Sequence, residues 1–144
     1  MDDSVSVELL TSVTADDATA LARILAQLSA TAIFDLTRIS EILDHDATEL
    51  FVARADGQIV GMVTLVTFPL PSGLRGHVED LVVDEAMRGH GVARQLLRTI
   101  IALASERGLR TLDLTSRPSR ESALRLYESF GFEPRDTSTL RYLP

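Results

Sequence analysis

The sequence contains no cysteine, which removes disulfides, thiolate nucleophiles and cysteine-ligated metals from consideration. It contains no lysine either: all fourteen basic residues are Arg. Schiff-base chemistry, a lysine general base and the lysine of a G-x-x-x-x-G-K-[ST] phosphate loop are excluded with it. Long apolar runs are also missing. The longest nearly apolar stretch, IVGMVTLVTF (59–68), is too short to span a bilayer, and MDDSVSVE at the start lacks the basic flank and apolar core of a signal peptide. These features lead to the expectation of a cytoplasmic protein with no membrane partner. No repeat or low-complexity tract interrupts the chain. Its 144 residues, 45% hydrophobic and 24% charged, suit a single compact domain over 1–144.

Positive charge is scarce in one half only. Residues 1–74 hold three Arg against eleven Asp and Glu, whereas residues 75–144 hold eleven Arg against ten. A net charge of −7 argues against nucleic acid as a partner, because neutralising phosphates needs a dense basic patch. An anionic ligand is expected on the C-terminal half, and the acidic N-terminal half suits a cation such as a protonated amine.

Periodicity orders the chain. VSVELLTSV (5–13) alternates as a strand, and 14–28 follows as a helix with Thr14 as its N-cap. Apolar residues at Leu36, Ile39, Ile42 and Leu43 predict a short helix over 36–46. Residues 49–68 read as two strands around Asp56 and Gly57, a hairpin turn. A loop over 69–76 then leads to a strand over 77–83. Helix 89–106 closes at Gly108, strand 109–115 and helix 116–132 follow, and STLRYL (138–143) is a last strand. This order predicts an α/β (α+β) domain with a mixed sheet flanked by helices.

Between the strand HVEDLVV and the helix stands RGHGVARQLL (88–97). A strand running through glycines into a helix has the geometry of an anion cradle. First-turn N–H groups lack intrahelical partners, and the macrodipole adds partial positive charge there. A G-x-G-x-x-G dinucleotide fingerprint does not fit, since only Gly89 and Gly91 are spaced for it.

Arg88, Gly91 and Ala93 form R-x-x-G-x-A after a hydrophobic strand ending V-V-D, and about thirty residues on comes A-L-R-L-Y-E-S-F-G-F. Together these motifs resemble the GNAT superfamily of acetyl-CoA-dependent N-acetyltransferases, across nearly the whole chain. The resemblance implies a mixed, mostly antiparallel sheet of six to seven strands with about four helices. It also implies acetyl-CoA as co-substrate. The backbone of Arg88, Gly89, His90, Gly91, Val92, Ala93 and Arg94 would hold the pyrophosphate, and that of Leu81, Val82 and Val83 would pair with pantetheine. Tyr127 stands where the family's tyrosine protonates the departing thiolate, a role that a phenol with a reference pKa of about 10 can fill. Glu79 stands where some members carry the carboxylate that deprotonates the amine, directly or through water.

Strand alternation puts Asp80 on the face opposite Glu79 unless a bulge intervenes, and puts His77 on Glu79's face as a second base. Arg120 occupies a position where many members carry Asn; with Arg117 it offers forked donors to CoA phosphates. GHVEDLVV resembles the glucosamine-phosphate branch, but the acidic residue which that branch uses near Thr115 is absent. The side chains of His45 and His90 read as surface positions, and no spacing of Asp, Glu and His suits a metal. What the resemblance implies is direct acetyl transfer to a primary amine of a small molecule in a ternary complex. The alternatives are a peptide or protein amine as acceptor, or an acyl-CoA sensor without turnover. A homodimer stays open.

Overall fold

In the computed structural model, residues 5–144 are described. The chain divides after Leu114 into two units. The first unit carries one five-stranded sheet in the order β1-β2-β3-β4-β5, where β1 is Val5–Leu9, β2 Thr48–Ala55, β3 Gln58–Leu70, β4 Gly73–Val83 and β5 Thr111–Asp113. Every neighbouring pair is antiparallel except β4 and β5, which run parallel. Helices α1 (Ala15–Leu28), α2 (Leu36–Asp44) and α3 (Val92–Glu106) belong to this unit. The second unit carries α4, Glu121–Ser129. No helix among the described residues is long and apolar enough to cross a membrane.

Local signals set the element ends. Thr14 accepts the Asp17 N–H while Asp17 accepts the Thr14 N–H, a closed capping box at the start of α1. Asp56 (φ 51°) and Gly57 (φ 80°) turn the β2–β3 hairpin with two left-handed residues, the type I′ requirement. At the end of α3, Gly108 (φ 65°) donates to the Ser105 carbonyl and Leu109 to that of Ala104, a Schellman closure.

Both faces of the sheet are covered. Ala20, Leu21 and Ile24 of α1 join Leu50, Val52 and Met62 in one buried cluster, with Ile39 and Ile42 of α2 packed against it. The opposite face meets α3. A Cβ at Gly61 would stand 3.1 Å from Val92 and 3.2 Å from Leu96, so the absence of a side chain lets α3 lie close to β3.

Several expectations need correction. The loop expected over 69–76 is instead a hairpin, with Leu70 opposite Gly73 and Pro69 opposite Leu74. Pro69 is tolerated because β2 reaches only as far as Val66 along β3, so the missing N–H falls where β3 borders β4 alone. The helix expected from 89 begins at Val92, and the one expected from 116 begins at Glu121. The expected six to seven strands are not seen among the described residues, which form a sheet of five, and STLRYL adopts no regular structure. Among the described residues its alternation meets no partner strand, and Leu140, Tyr142 and Leu143 are exposed.

An ion pair ties α1 to β2. Arg54 donates to both carboxylate oxygens of Asp17, at 2.9 and 3.3 Å, and its Nε stands 3.4 Å from Glu8. The hydrogen bond from Arg54 leads the effects that hold the buried Asp17 carboxyl below its ordinary pKa. A carboxyl depressed on folding contributes stability above its unfolded pKa and loses it as pH falls through the folded value. Arg54→Ala is expected to lower stability by about 3 kcal/mol near neutral pH, since it leaves a buried carboxylate unpaired. As pH falls through the folded-state pKa of Asp17, which lies below its ordinary value, the gap should narrow. Urea unfolding at pH 7 and pH 3 reads the difference, and an equal gap at both would assign the loss to packing.

Candidate functional site

Most of the predicted residues lie along β4 and the turn that follows it. β4 pairs with β5 only from Arg75 to His77, so among the described residues its one partner from Val78 to Val83 is β3. Within that free stretch lies a bulge: Thr64 faces Glu79 and Met62 faces Val82, leaving Asp80 and Leu81 opposite the single residue Val63. Asp80 takes φ 51° to make it. The simple alternation expected for Asp80 therefore does not hold. Val78 pairs with Leu65, whereas Val82, four residues later, pairs with Met62 and joins the α1 cluster. A bulge interrupts the two-residue period, so the faces exchange across it. Val82 is buried, Leu81 and Val83 are half-buried, and Glu79 and Asp80 are exposed.

His77 and Glu79 share a face, as alternation predicts. His77 Nδ1 stands 3.5 Å from Glu79 Oε2, an ion-pair distance when the imidazole is protonated. The imidazole packs edge-on against Phe68, with ring centroids 5.2 Å apart. On the parallel neighbour, Asp113 is in register with His77. Sequence reasoning missed Asp113 and found no acidic residue near Thr115 to serve. The signal was its place inside the strand-like LRTLDLT, but only the β4–β5 register brings it beside His77.

After β4, the chain passes through a short 3-10 turn, Glu85–Met87, and reaches α3. Gly89 (φ 83°) and Gly91 (φ 78°) adopt left-handed backbone. Gly91 is the N-cap of α3 and supplies no side-chain cap. Among the described residues, no hydrogen bond engages the N–H groups from Gly89 to Ala93. A Cβ built on either glycine would meet nothing within 4 Å. The His90 ring folds back on the turn, its Nδ1 3.2 and 3.1 Å from the carbonyls of Met87 and Arg88. Open space, unpaired N–H groups and a helix N-terminus coincide here, an arrangement suited to phosphate oxygens. Val92 is buried, whereas Arg88 and Arg94 are exposed.

In the second unit, Arg120 is the exposed N-cap of α4 and gives no side-chain cap, and Arg117 is exposed too. Tyr127 is buried at 8% exposure and packs edge-on against Phe132 at 6.1 Å. Burial pushes its phenol pKa upward, partly opposed by the Arg120 charge. A raised pKa keeps the group protonated and able to donate.

A cavity of about 350 Å³ lies elsewhere, between the end of β1 and the α2–β2 connection, with His45, Asp46 and the Glu49–Arg107 pair among its lining residues. None of the predicted site residues lines it. Among the described residues, no cluster of three or more His, Asp or Glu could hold a metal ion.

Residues 19–132 match the acetyltransferase (GNAT) family. Over 92 residues, 62% of this chain, it is 33% identical to a glucosamine 6-phosphate N-acetyltransferase of Trypanosoma brucei brucei. The match covers 60% of that enzyme, and the chain spans roughly half the length of other curated relatives it matches. Among solved structures, a transcriptional regulator from Bacillus halodurans C-125 superposes with a TM-score of 0.85 at 26% identity, covering 96% of this chain and 99% of that one. The ribosomal-protein-alanine N-acetyltransferase of Brucella melitensis biovar Abortus 2308 superposes with a TM-score of 0.78 at 27% identity, covering 97% and 99%. With a family match over most of its length and a fold shared end to end with these structures, the chain belongs to the GNAT family of acetyltransferases.

Proposed function

We propose that the protein transfers the acetyl group of acetyl-CoA to a primary amine of a small molecule by direct attack in a ternary complex. The observation that carries this reading is the row of unpaired N–H groups from Gly89 to Ala93 at the start of α3, beside glycines with open space before them. The residues from Arg88 to Arg94 would hold the CoA pyrophosphate there, with Arg120 offering a further forked donor to phosphate. The free stretch of β4 leaves backbone groups of Leu81, Val82 and Val83 for pantetheine to pair with. Acetyl-CoA, when bound, supplies an activated thioester.

The chain's own residues manage protons. Glu79 takes one from the acceptor ammonium, directly or through water, and His77 at 3.5 Å is a second acceptor. The carboxylate of Glu79, with Asp113 at the register position next to His77, also favours an incoming cation. Tyr127, held protonated by burial, gives its proton to the leaving thiolate. No covalent acyl-enzyme is needed, and cysteine is absent. A peptide amine is the second reading, supported by the likeness to the ribosomal-protein-alanine enzyme at 27% identity.

The direct test is turnover of acetyl-CoA across an amine library that includes peptides with free N-termini, read by release of CoA thiol. No thiol release with any amine would reject the reading, and release with peptides alone would favour the second acceptor class.

Gly91→Val should abolish the rise in melting temperature caused by acetyl-CoA. A β-branched residue at φ 78° costs about 1–2 kcal/mol in backbone strain and fills the space before the amides. Unchanged stabilisation by the ligand would sink the pyrophosphate assignment.

Tyr127→Phe should lower kcat on the order of 10²-fold with acetyl-CoA affinity nearly intact, because the hydroxyl acts on the leaving group. Wild-type turnover in that variant would leave Tyr127 a packing residue.

Glu79→Gln separates base from anchor. If Glu79 is the base, the rise of kcat/KM with pH should disappear or move upward in the variant. A slope that instead follows the pKa of the acceptor, and survives the substitution, would mean the enzyme selects free amine.

A further inference from the structure

We infer that Arg23 and Gln27 of α1 are positioning residues that set the shape of the cofactor turn through Asp84. The inference rests on the reading of Arg88 to Arg94 as the CoA pyrophosphate site and adds a determinant outside it. Asp84 is the first residue after β4 and is only 8% exposed. Its Oδ2 accepts from Arg23 Nε at 3.2 Å and Arg23 Nη2 at 3.1 Å, and its Oδ1 accepts from Gln27 Nε2 at 3.2 Å and the Ala86 N–H at 3.3 Å. Gln27 Oε1 in turn accepts the Glu85 N–H at 2.8 Å. The main chain is gripped at the same point, since Asp84 N–H donates to the Val60 carbonyl and Met87 N–H to that of Asp84.

The path from sheet to turn is thus bonded continuously through Arg88, where it meets the Glu85 carbonyl at 3.4 Å, and among the described residues no hydrogen bond engages the N–H groups from Gly89 to Ala93. What orients those free groups is the bonded segment just before them. Residues 23 and 27 lie one helical turn apart, so both side chains leave α1 on one face and reach the same carboxylate. Burial alone would raise the Asp84 carboxyl, but the bonds from Gln27, the Ala86 N–H and Arg23 outweigh it and keep it below its ordinary value. The network therefore stays charged and directional.

Seating of α1 does not need this network. Ala20, Leu21 and Ile24 anchor the helix at 2% exposure or less, and the Arg54–Asp17 pair fixes its other end. The Arg23 side chain is half exposed. A glutamine and an arginine spent on one buried carboxylate at the mouth of the turn hold the turn, not the helix.

The test uses the whole chain and measures acetyl-CoA dissociation constants by calorimetry, with melting temperature of the free protein in parallel. Arg23→Ala and Gln27→Ala should each weaken acetyl-CoA about tenfold, as expected for losing a hydrogen bond to a charged group. The KM for acetyl-CoA should rise with kcat at saturation unchanged. Arg54→Ala, which loosens the same helix away from the turn, should lower the melting temperature and leave the affinity alone. Adding Arg23→Ala to Asp84→Asn should weaken binding no further than Asp84→Asn does, because the arginine acts through that carboxylate. Equal losses of affinity in Arg54→Ala and Arg23→Ala would overturn the inference, as would wild-type affinity in both Arg23→Ala and Gln27→Ala. A wild-type protein that binds no CoA would overturn the functional reading itself, and this inference with it.

Discussion

Everything that follows Glu79 depends on one interruption in the β3–β4 ladder. Placing Asp80 and Leu81 opposite Val63 exchanges the faces of β4, so Val82 is buried with Met62 against α1 while Glu79 and His77 stay on the half-open part of that same face. Without the extra residue, Val82 would turn to the α3 side, where Val63 and Leu65 are already fully buried, and the chain would leave the sheet with Asp84 directed away from Arg23. The left-handed conformation of Asp80 is uncommon for a residue with a side chain, though Asp is among those that tolerate it. A bulge also increases local twist. It lies in the stretch where β4 has parted from β5, so the distortion breaks no ladder on that side.

Charge is distributed in keeping with that geometry. The acidic first half places its buried carboxylate, Asp17, against Arg54, and its few Arg residues are committed: Arg23 to Asp84, Arg38 to Glu41 and Arg54 to Asp17 and Glu8. Of these, only the pairs involving Asp17 and Asp84 involve a carboxylate largely removed from water, and those two join α1 to the sheet and to the turn before α3. The exposed Arg38–Glu41 pair contributes little by comparison, since surface pairs are screened.

What was legible in the sequence was what is decided locally. Thr14 and Asp17, Asp56 and Gly57, and Gly108 each mark an element end through bonds made within a few residues, and all act as expected. The strand–glycine–helix junction at Arg88, Gly91 and Ala93 was legible for the same reason, because left-handed glycines and a helix start are set by neighbouring residues. The misses are non-local. Pro69 looked like a loop residue because its tolerance depends on where β2 ends. Asp113 looked unremarkable because its neighbour, His77, is more than thirty residues away in sequence and is reached only through the parallel register. STLRYL alternates like a strand, yet alternation states which residues could share a face and says nothing about whether a partner strand is available. Asp84, Arg23 and Gln27 carry no motif at all; their relation arises from the crossing of α1 over the end of β4.

The side chains around His77 bear on what kind of acceptor the site favours. In water an aliphatic ammonium is almost wholly protonated near neutral pH, and only the neutral amine can attack a thioester. A site made of a carboxylate alone would attract the cation and, by stabilising its charge, oppose the proton loss that reaction requires. An imidazole between Glu79 and the register position of Asp113 changes that balance. One carboxylate can orient the ring and stabilise imidazolium after it has taken the proton, while the net negative charge of the group still draws the cation in. Phe68, packed edge-on against the same ring, limits the orientations the imidazole can take. Where His77 acts as the second acceptor of the proposed reaction, attraction of the ammonium and removal of its proton belong to different atoms, so tight binding of the charged acceptor need not hold back the step that makes it a nucleophile.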